Sequence, residues 1–192
     1  MRRQRVPRHS RTRCEDSTTA VGGESNATGT AATAFGWQAS ATAERAHALG
    51  HLATASGVRS LAAGEAATAS GLESVAVGNL SVASGQDGVA VGTEANASGT
   101  SSTAIGGESD ATEAGTTAIG WQSQATAERA QAIGHLANAS GVRSLAAGEA
   151  AAASGLESVA VGNQSVASGQ DGVALGTQAG ATGTSSTAIG GE

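Results

Sequence analysis

The side chains in this sequence that could support chemistry or binding are histidines, tryptophans, paired charges and a series of hydroxyls. His47 and His51 lie four residues apart, and His135 repeats His51. Imidazole is a common metal ligand, so copies of such a pair brought together by self-association would suggest a metal site. However, Gln131 replaces His47 in the second occurrence. We therefore predict surface or interface histidines, and no metal site or cofactor.

Two tryptophans, Trp37 and Trp121, are the largest side chains of the sequence, and each follows a glycine. They are candidate anchors for a binding partner, since aromatic residues dominate many interfaces. The alternative is that each indole packs over the adjacent repeat.

Paired charges occur at Glu44-Arg45 and again at Glu128-Arg129. These pairs indicate exposed ion pairs, which contribute little to stability. The sequence has no Ser/His/Asp set, no paired-carboxylate constellation, no phosphate loop and no zinc-ligand spacing. We therefore predict that the chain has no catalytic residues and is not an enzyme.

Glycines at a fixed interval define the elements that must position these side chains. Thirteen glycines follow an Ala-apolar pair at intervals of 14 residues without a slip. Such a period predicts a solenoid, in which each repeat is one coil that must stack on its neighbours. The glycines are Gly22, Gly36, Gly50, Gly64, Gly78, Gly92, Gly106, Gly120, Gly134, Gly148, Gly162, Gly176 and Gly190.

Each coil is too short for a strand, a helix and two turns. The alternation in Ser74-Val75-Ala76-Val77 and in Val82-Ala83-Ser84 predicts two short strands per coil. Glycine suits the turns between them because it accepts positive φ. The second strand has Ala followed by Ser or Thr in every coil, which predicts one small apolar face and one hydroxyl face. The hydroxyl candidates for surface binding are Thr28, Thr42, Thr112 and Thr126.

Both faces of the first strand have an apolar pattern. Its central residue is always Ala, and the next residue is bulky and apolar in eleven of thirteen coils. We expect the Ala column to line a thin interior, so that the bulky column forms an outer stripe too large to remain in water. The swapped assignment, with the bulky column inside, is the alternative. The predicted interface residues are Val77, Val91, Ile105, Ile119, Ile133, Val161, Leu175 and Ile189.

Charge divides the chain into two segments. Six of its ten arginines lie before residue 17, whereas fourteen of its sixteen carboxylates lie after it. Residues 1–17 are predicted to be a basic, disordered leader, and residues 18–192 an acidic repeat body that does not bind nucleic acid. The leader has no apolar core typical of a signal peptide, and no segment is apolar enough to insert into a membrane.

The sequence also has a second, longer repeat that contains six of the 14-residue repeats. Residues 22–105 and 106–189 align without a gap and differ at 17 of 84 positions. Six coils were therefore duplicated as a block, as expected for a rod or spacer. Because no capping element is visible, we expect the chain to be a fragment of a longer protein.

The motifs Ser74-Val75-Ala76-Val77-Gly78, Ser158-Val159-Ala160-Val161-Gly162 and Thr117-Ala118-Ile119-Gly120 resemble the repeats of YadA-like head domains in trimeric autotransporter adhesins. The half-coil Ala83-Ser84-Gly85 is similar to the second half of those repeats. The resemblance spans residues 18–192 and implies an all-β fold: a left-handed parallel β-roll of about thirteen coils that forms a homotrimer. It also implies localisation at the bacterial outer membrane and binding to host matrix proteins, cells or surfaces.

Two other functions compete with adhesion. An ice- or crystal-binding solenoid would use the column of Ser and Thr residues as a regular lattice of hydroxyls. An acyltransferase of the left-handed β-helix type would need hexapeptide coils, and a 14-residue coil does not divide that way. Multivalent adhesion is the function that the sequence favours.

Overall fold

The computed structural model describes residues 17–191, in which short strands alternate with tight turns and there is no helix. The first strand of each coil has three residues, and together these strands form sheet one. Its strands are Thr19–Val21, Thr33–Phe35, His47–Leu49, Leu61–Ala63, Val75–Val77, Val89–Val91, Thr103–Ile105, Thr117–Ile119, Gln131–Ile133, Leu145–Ala147, Val159–Val161, Val173–Leu175 and Thr187–Ile189.

The second strand of each coil has two residues and belongs to sheet two. Its strands are Asn26–Ala27, Ser40–Ala41, Thr54–Ala55, Thr68–Ala69, Val82–Ala83, Asn96–Ala97, Asp110–Ala111, Gln124–Ala125, Asn138–Ala139, Ala152–Ala153, Val166–Ala167 and Gly180–Ala181. The chain is thus an all-β parallel solenoid with thirteen strands in one sheet and twelve in the other.

Each strand pairs in parallel with the strand one coil away, at an offset of 14 residues. In sheet one, for example, Ala34 lies opposite Ala48, and in sheet two Ala111 lies opposite Ala125. The turns stack as well, since the Gln38 N–H donates to the Gly23 carbonyl at 2.9 Å. The constant register accounts for the absence of insertions and deletions between Gly22 and Gly190: a one-residue slip would turn every interior side chain of a strand outward.

Alanine fills the interior between the two sheets. The buried apolar residues of the described chain are all alanines, and those at strand centres, such as Ala76 and Ala83, have no exposed surface. The predicted interior position of the Ala column is therefore confirmed. The swapped assignment is wrong, because the Val, Ile and Leu side chains of sheet one point away from the interior. At the strand centres a side chain larger than Ala would force the sheets apart, whereas the ends of the interior also hold buried Ser and Thr residues such as Ser74 and Thr116.

Glycine has different roles in the two turns of a coil. In the first turn, after sheet one, Gly78 has φ 137°, and an added Cβ would lie 2.3 Å from the Gly92 carbonyl oxygen of the next coil. In the second turn, Gly71 has no positive φ, yet an added Cβ would lie 2.0 Å from the Gly85 carbonyl oxygen. The expectation of positive φ is thus wrong for glycine at this position of the second turn, where the close approach of successive coils favours glycine, although Ala43, Glu113 and Ala127 replace it in three coils.

In the turns that the structure describes, left-handed backbone is also adopted two positions after the turn glycine position, by ordinary residues except at Gly115. Leu52 has φ 58° in a first turn and Arg59 has φ 60° in a second turn. These conformations are sparsely populated by non-glycine residues and are maintained here by the coil-to-coil hydrogen bonds. The Arg59 N–H, for instance, donates to the Glu44 carbonyl at 2.9 Å.

The predicted basic leader, residues 1–17, lies outside the described residues apart from Ser17. Within residues 17–191 there is no helix of the length and apolarity needed to cross a membrane. The first strand begins at Thr19.

Candidate binding surfaces

Two columns of side chains point outward from sheet one, which we call its outer face. They flank the central alanine of each strand: the first column precedes it, on the side of the second turn, and the second column follows it, on the side of the first turn. The predicted interface residues all lie in the second column. Val77, Val91 and Leu175 are half-buried, while Ile105, Ile119, Ile133, Val161 and Ile189 are exposed.

The first column is the part of this face that the sequence reasoning missed. It is polar in some coils, as at Thr117, but apolar at six positions, which makes the outer face two apolar residues wide there. Strand alternation alone could have identified it, since residues two apart share a face. These six positions are Leu61, Val75, Val89, Leu145, Val159 and Val173.

The stacked first turns form one edge of the roll, the first-turn edge, and the stacked second turns form the opposite, second-turn edge. The tryptophans lie on the first-turn edge, and each stacks on the histidine one coil further on. The ring centroids of Trp37 and His51 are 5.0 Å apart with an interplanar angle of 21°, and those of Trp121 and His135 are 5.1 Å apart at 24°. About half of each indole is exposed. Packing over the adjacent coil therefore occurs, and the exposed part of each ring is still accessible to a partner.

The Trp–His stack continues into a carboxylate on the following coil. The His51 Nδ1 lies 3.4 Å from the Glu65 Oε1, and the His135 Nδ1 lies 3.6 Å from the Glu149 Oε1. Tryptophan, histidine and glutamate thus occupy successive positions of one column along the edge. The period places them together, because residues 14 apart are neighbours.

The two turn edges differ in charge. All four arginines of residues 17–191, namely Arg45, Arg59, Arg129 and Arg143, lie on the second-turn edge. Arg59 pairs with Glu73 of the next coil at 2.7 Å, and Arg143 pairs in the same way with Glu157. The first-turn edge carries glutamates and histidines but no arginine.

The adjacent charges Glu44-Arg45 and Glu128-Arg129 form loose contacts within their own turns. The Arg45 Nε lies 3.6 Å from the Glu44 Oε1, and the Arg129 Nε lies 3.7 Å from the Glu128 Oε1. All four side chains are more than half exposed. Pairs of this kind in water contribute little to stability.

The hydroxyl column lies just after the strands of sheet two. Thr42 and Thr126 are exposed, whereas Thr28 and Thr112 are half-buried. The residues two positions earlier share this outer face, and they vary widely in type. They include Asn26, Ser40, Val82, Asp110, Gln124 and Val166. The face is therefore polar and mixed, and it lacks the uniform hydroxyl lattice of an ice-binding surface.

A groove of about 630 Å³ lies where the two six-coil blocks meet, and it is lined mainly by carboxylates and amides. Most of its polar side chains are hydrogen-bonded to one another or to a neighbouring coil. The Gln122 Nε2 donates to the Glu108 Oε2 at 2.7 Å, and the Asn96 Nδ2 donates to the Asp110 Oδ1 at 3.1 Å.

The three described histidines, His47, His51 and His135, show no arrangement suited to a metal. His47 is exposed on the outer face of sheet one, while His51 belongs to the Trp–His stack on the first-turn edge. Within residues 17–191, no group of three or more His, Cys, Asp or Glu residues is placed to hold a metal ion.

Stacked parallel coils with a self-repeating surface define a class of protein, the β-solenoid repeat proteins. Comparison with protein families is specific within that class. The model for the YadA head domain repeat (2 copies) matches eight times, at residues 16–39, 27–53, 41–64, 55–81, 83–109, 111–137, 139–165 and 167–192. The chain therefore belongs to the YadA head-repeat family. YadA-like adhesins are surface-exposed autotransporters of the outer membrane, and the family is in general non-enzymatic.

Three chains of solved structures match as well. One is the collagen-binding domain of the Yersinia adhesin YadA, with 27% sequence identity, 88% of this chain and 70% of that chain covered, and a TM-score of 0.30. No curated protein sequence matches this chain.

Proposed function

We propose that this chain is a head module of a trimeric bacterial surface adhesin, which binds host matrix proteins, host cells or other surfaces through many weak, repeated contacts. In this proposal three copies of the roll, each left-handed, assemble into one rod at the cell surface. The proposal includes no catalytic step and no cofactor.

The observation that carries the proposal is the exposed apolar stripe of sheet one. Side chains such as Ile119 and Ile133 are more than a third exposed in the single chain, and burying that remaining surface would contribute roughly 0.5–1 kcal/mol for each side chain. A continuous stripe of this kind marks an interaction surface on a soluble protein. Family membership supports self-association as the use of this face.

Repetition supports multivalent adhesion by the remaining surfaces. Because the two blocks differ at only 17 of 84 positions, a target that binds one block meets a nearly identical surface on the other. Linked copies of a weak site raise the apparent affinity without any new contact. The half-exposed Trp37 and Trp121, and the polar residues around Thr42 and Thr126, are the proposed contact residues.

The test compares the full chain with two shortened chains, one lacking residues 22–105 and the other lacking residues 106–189. Each deletion removes six coils and leaves the 14-residue register intact. All three proteins are fused to the same trimeric coiled coil, and their binding to immobilised collagen and to cultured mammalian cells is measured. Collagen is included because it is the ligand named for the Yersinia domain.

Both deletions should lower the apparent affinity by about tenfold or more, and by similar factors, because half of the repeated contacts are lost. Equal binding by the full and shortened rods would contradict multivalent adhesion. Failure of all three to bind any probe would contradict the proposed targets. Sedimentation of the full chain without the fusion tests the trimer separately: a folded monomer at micromolar concentration would overturn that part of the proposal.

A further inference from the structure

The first-turn edge retains one set of side chains through the duplication. In both blocks, four successive coils carry Gly-Glu, Trp-Gln, His-Leu and Glu-Ala directly after the first-turn glycine. Most of the 17 differences between the blocks fall within these four coils, for example at Asn26, Ser40 and Thr54, yet none falls on these pairs. The next coil shows that the turn itself does not demand such constancy, because Leu80 is replaced there by Gln164. The retained set therefore indicates a function beyond the turn.

A glycine leaves one face of each tryptophan uncovered. Trp121 stacks on His135 of the following coil, whereas the residue at the same position of the preceding coil is Gly107. An added Cβ at Gly107 would lie 3.1 Å from the Trp121 Cδ1, so even a small side chain there would crowd the ring. About half of the indole is exposed. The first block repeats the arrangement with Gly23 before Trp37, and both indoles therefore present an open face beside a glycine.

A polar pair borders each open face. Glu108 and Gln122 directly follow the glycine and the tryptophan, and the Gln122 Nε2 donates to the Glu108 Oε2 at 2.7 Å. In the first block, the Gln38 Nε2 donates to the Glu24 Oε2 at 2.6 Å. Both hydrogen bonds are exposed. After this bond the amide still has a carbonyl oxygen and a second N–H, and the carboxylate has further lone pairs, so each pair can both donate to a ligand and accept from it.

Charge limits the kind of ligand that fits this surface. The sequence contains no lysine, the arginines of residues 17–191 lie on the second-turn edge, and glutamates such as Glu65 and Glu108 lie on the first-turn edge. Anionic ligands are therefore disfavoured. An entirely apolar ring would cover the polar pair without offering it a hydrogen bond, which costs free energy. The matching ligand is a ring with an apolar face, hydroxyls at its rim and no negative charge, and a neutral pyranose unit has these properties.

We propose that Trp37 and Trp121 are the stacking platforms of two equivalent saccharide sites, each of which binds a neutral pyranose unit of a glycan. The adjacent Glu–Gln pairs hydrogen-bond the sugar hydroxyls, and His51 and His135 are positioning residues that support the opposite face of each indole. The sites lie six coils apart, which is about 29 Å at a strand spacing of about 4.8 Å, so one polysaccharide chain can occupy both. The proposal rests on the adhesin function and gives a ligand class to its contact residues.

The first test follows the intrinsic fluorescence of the full chain during titration with hydroxyethyl cellulose, a neutral polymer of flat pyranose rings. The sequence has two tryptophans and no tyrosine, so the emission reports on the two sites. We expect a saturable change. Trp37→Ala and Trp121→Ala, each of which leaves one reporter, should bind with about tenfold lower apparent affinity, because the linked second site is lost. The absence of a saturable change would overturn the proposal.

An anionic polymer tests the charge argument. Carboxymethyl cellulose has the same backbone with added carboxylates, and at low ionic strength it should bind at least about tenfold more weakly than the neutral polymer. Equal or tighter binding of the carboxymethylated polymer would contradict the proposed sites, since they would then not select against negative charge.

A filling variant tests the open face without removing the indole. Gly23→Thr with Gly107→Thr places at both sites the residue that Thr93 and Thr177 already provide at this turn position. The added side chain should compete with the sugar ring for the exposed indole and lower the affinity by about tenfold or more. Circular dichroism verifies that the roll is folded, and unchanged binding by the folded variant would overturn the proposed stacking.

A rim variant and a matched control complete the set. Gln38→Leu with Gln122→Leu removes the amide of both polar pairs and should lower the affinity by about fivefold or more. Leu80→Gln lies on the same edge, is about as exposed as the indoles and repeats a change that the second block carries at Gln164. This control should bind within about twofold of the original chain. No effect of the rim variant, or an equal effect of the control, would overturn the proposal.

Parallel binding to immobilised collagen and cultured mammalian cells separates this proposal from the adhesin function. A chain that binds collagen or cells but not the neutral polymer would overturn the saccharide sites and leave the adhesin function intact. Polymer binding without collagen or cell binding would support the sites and contradict the proposed host targets. If the double variant Trp37→Ala and Trp121→Ala lost collagen binding but retained polymer binding, the indoles would serve a protein ligand and the saccharide sites would be overturned.

Discussion

The interior of the roll and the outer face of sheet one lie one residue apart along every strand, yet they follow opposite rules. Every strand-centre residue inside is Ala, in both sheets. Outside, the residues flanking those alanines include Thr, His, Gln, Leu, Val, Phe and Ile. None of the 17 differences between the two blocks falls on a strand-centre alanine.

The difference shows which surface sets the geometry and which is free to change. A change of interior size alters the separation of the two sheets, and because coils stack in register it is transmitted to the neighbouring coils. An outward change alters only what the rod presents to other molecules. Fold and binding are therefore encoded in alternating residues of the same strands.

The largest loss of stability is expected from a substitution that disrupts the interior. Ala118→Leu places three additional carbons where Ala118 has no exposed surface, so we expect a loss of about 3 kcal/mol in the free energy of unfolding. The matched outward change, Thr117→Leu on the same strand, should change the stability of the unassociated chain by less than about 0.5 kcal/mol, since only the proposed trimer would bury this position. Urea unfolding followed by circular dichroism, at one fixed protein concentration, gives both values.

These two variants test whether interior and outer face are as distinct as alternation implies. A similar loss for Thr117→Leu would mean that the outer face of the single chain already packs as a core. A negligible loss for Ala118→Leu would mean that the sheets can separate locally, and the contrast between the two surfaces would then be wrong.

A second comparison concerns the two turns. Gly78→Ala must accommodate both φ 137° and a Cβ 2.3 Å from the Gly92 oxygen, so we expect a loss of about 2 kcal/mol. Gly71→Ala meets only the close approach, and Ala43 and Ala127 already occupy this position in two other coils. Its loss should be about 1 kcal/mol, because a small backbone shift is sufficient.

The same urea experiment ranks the two turn variants. Equal losses would show that coil-to-coil contact alone makes both glycines necessary. A larger loss for Gly71→Ala would show that the native coils with Ala43 and Ala127 depend on compensation that other coils lack.

Much of this architecture follows from the sequence, because the 14-residue period and the two-residue alternation act on every coil. They predict the stacked coils, the alanine interior and the outward Val/Ile column. The first outward column was missed because polar residues, such as Thr117 and Gln131, occupy it in about half of the coils. The positive φ of the first-turn glycines was predicted correctly, but left-handed residues such as Leu52 and Arg59 were not, because they have no compositional mark: neighbouring coils, and not local preference, maintain their conformation.

The candidate binding surfaces are less predictable for a related reason. The Trp37–His51 stack follows from the period, since residues 14 apart are neighbours in the ladder. The orientation of the rings, and the exposure of about half of each indole, depend on side-chain packing between turns that the period does not specify.

The smallest expected effect concerns the tryptophans, which belong to the outer surface yet pack against their own chain. Trp121→Ala removes the stack on His135, and because about half of the indole is exposed the loss should be about 1 kcal/mol, below the 3–5 kcal/mol typical of buried tryptophan. Trp37→Ala should cost the same, and the two losses should add, since six coils separate the sites.

If both variants also lose binding to collagen or cells while Thr117→Leu does not, the indoles serve as anchors as well as spacers between coils. If stability falls and binding is unchanged, the tryptophans act only within the rod, and the contact surface must lie on sheet two, where the side chains around Thr42 and Thr126 face outward.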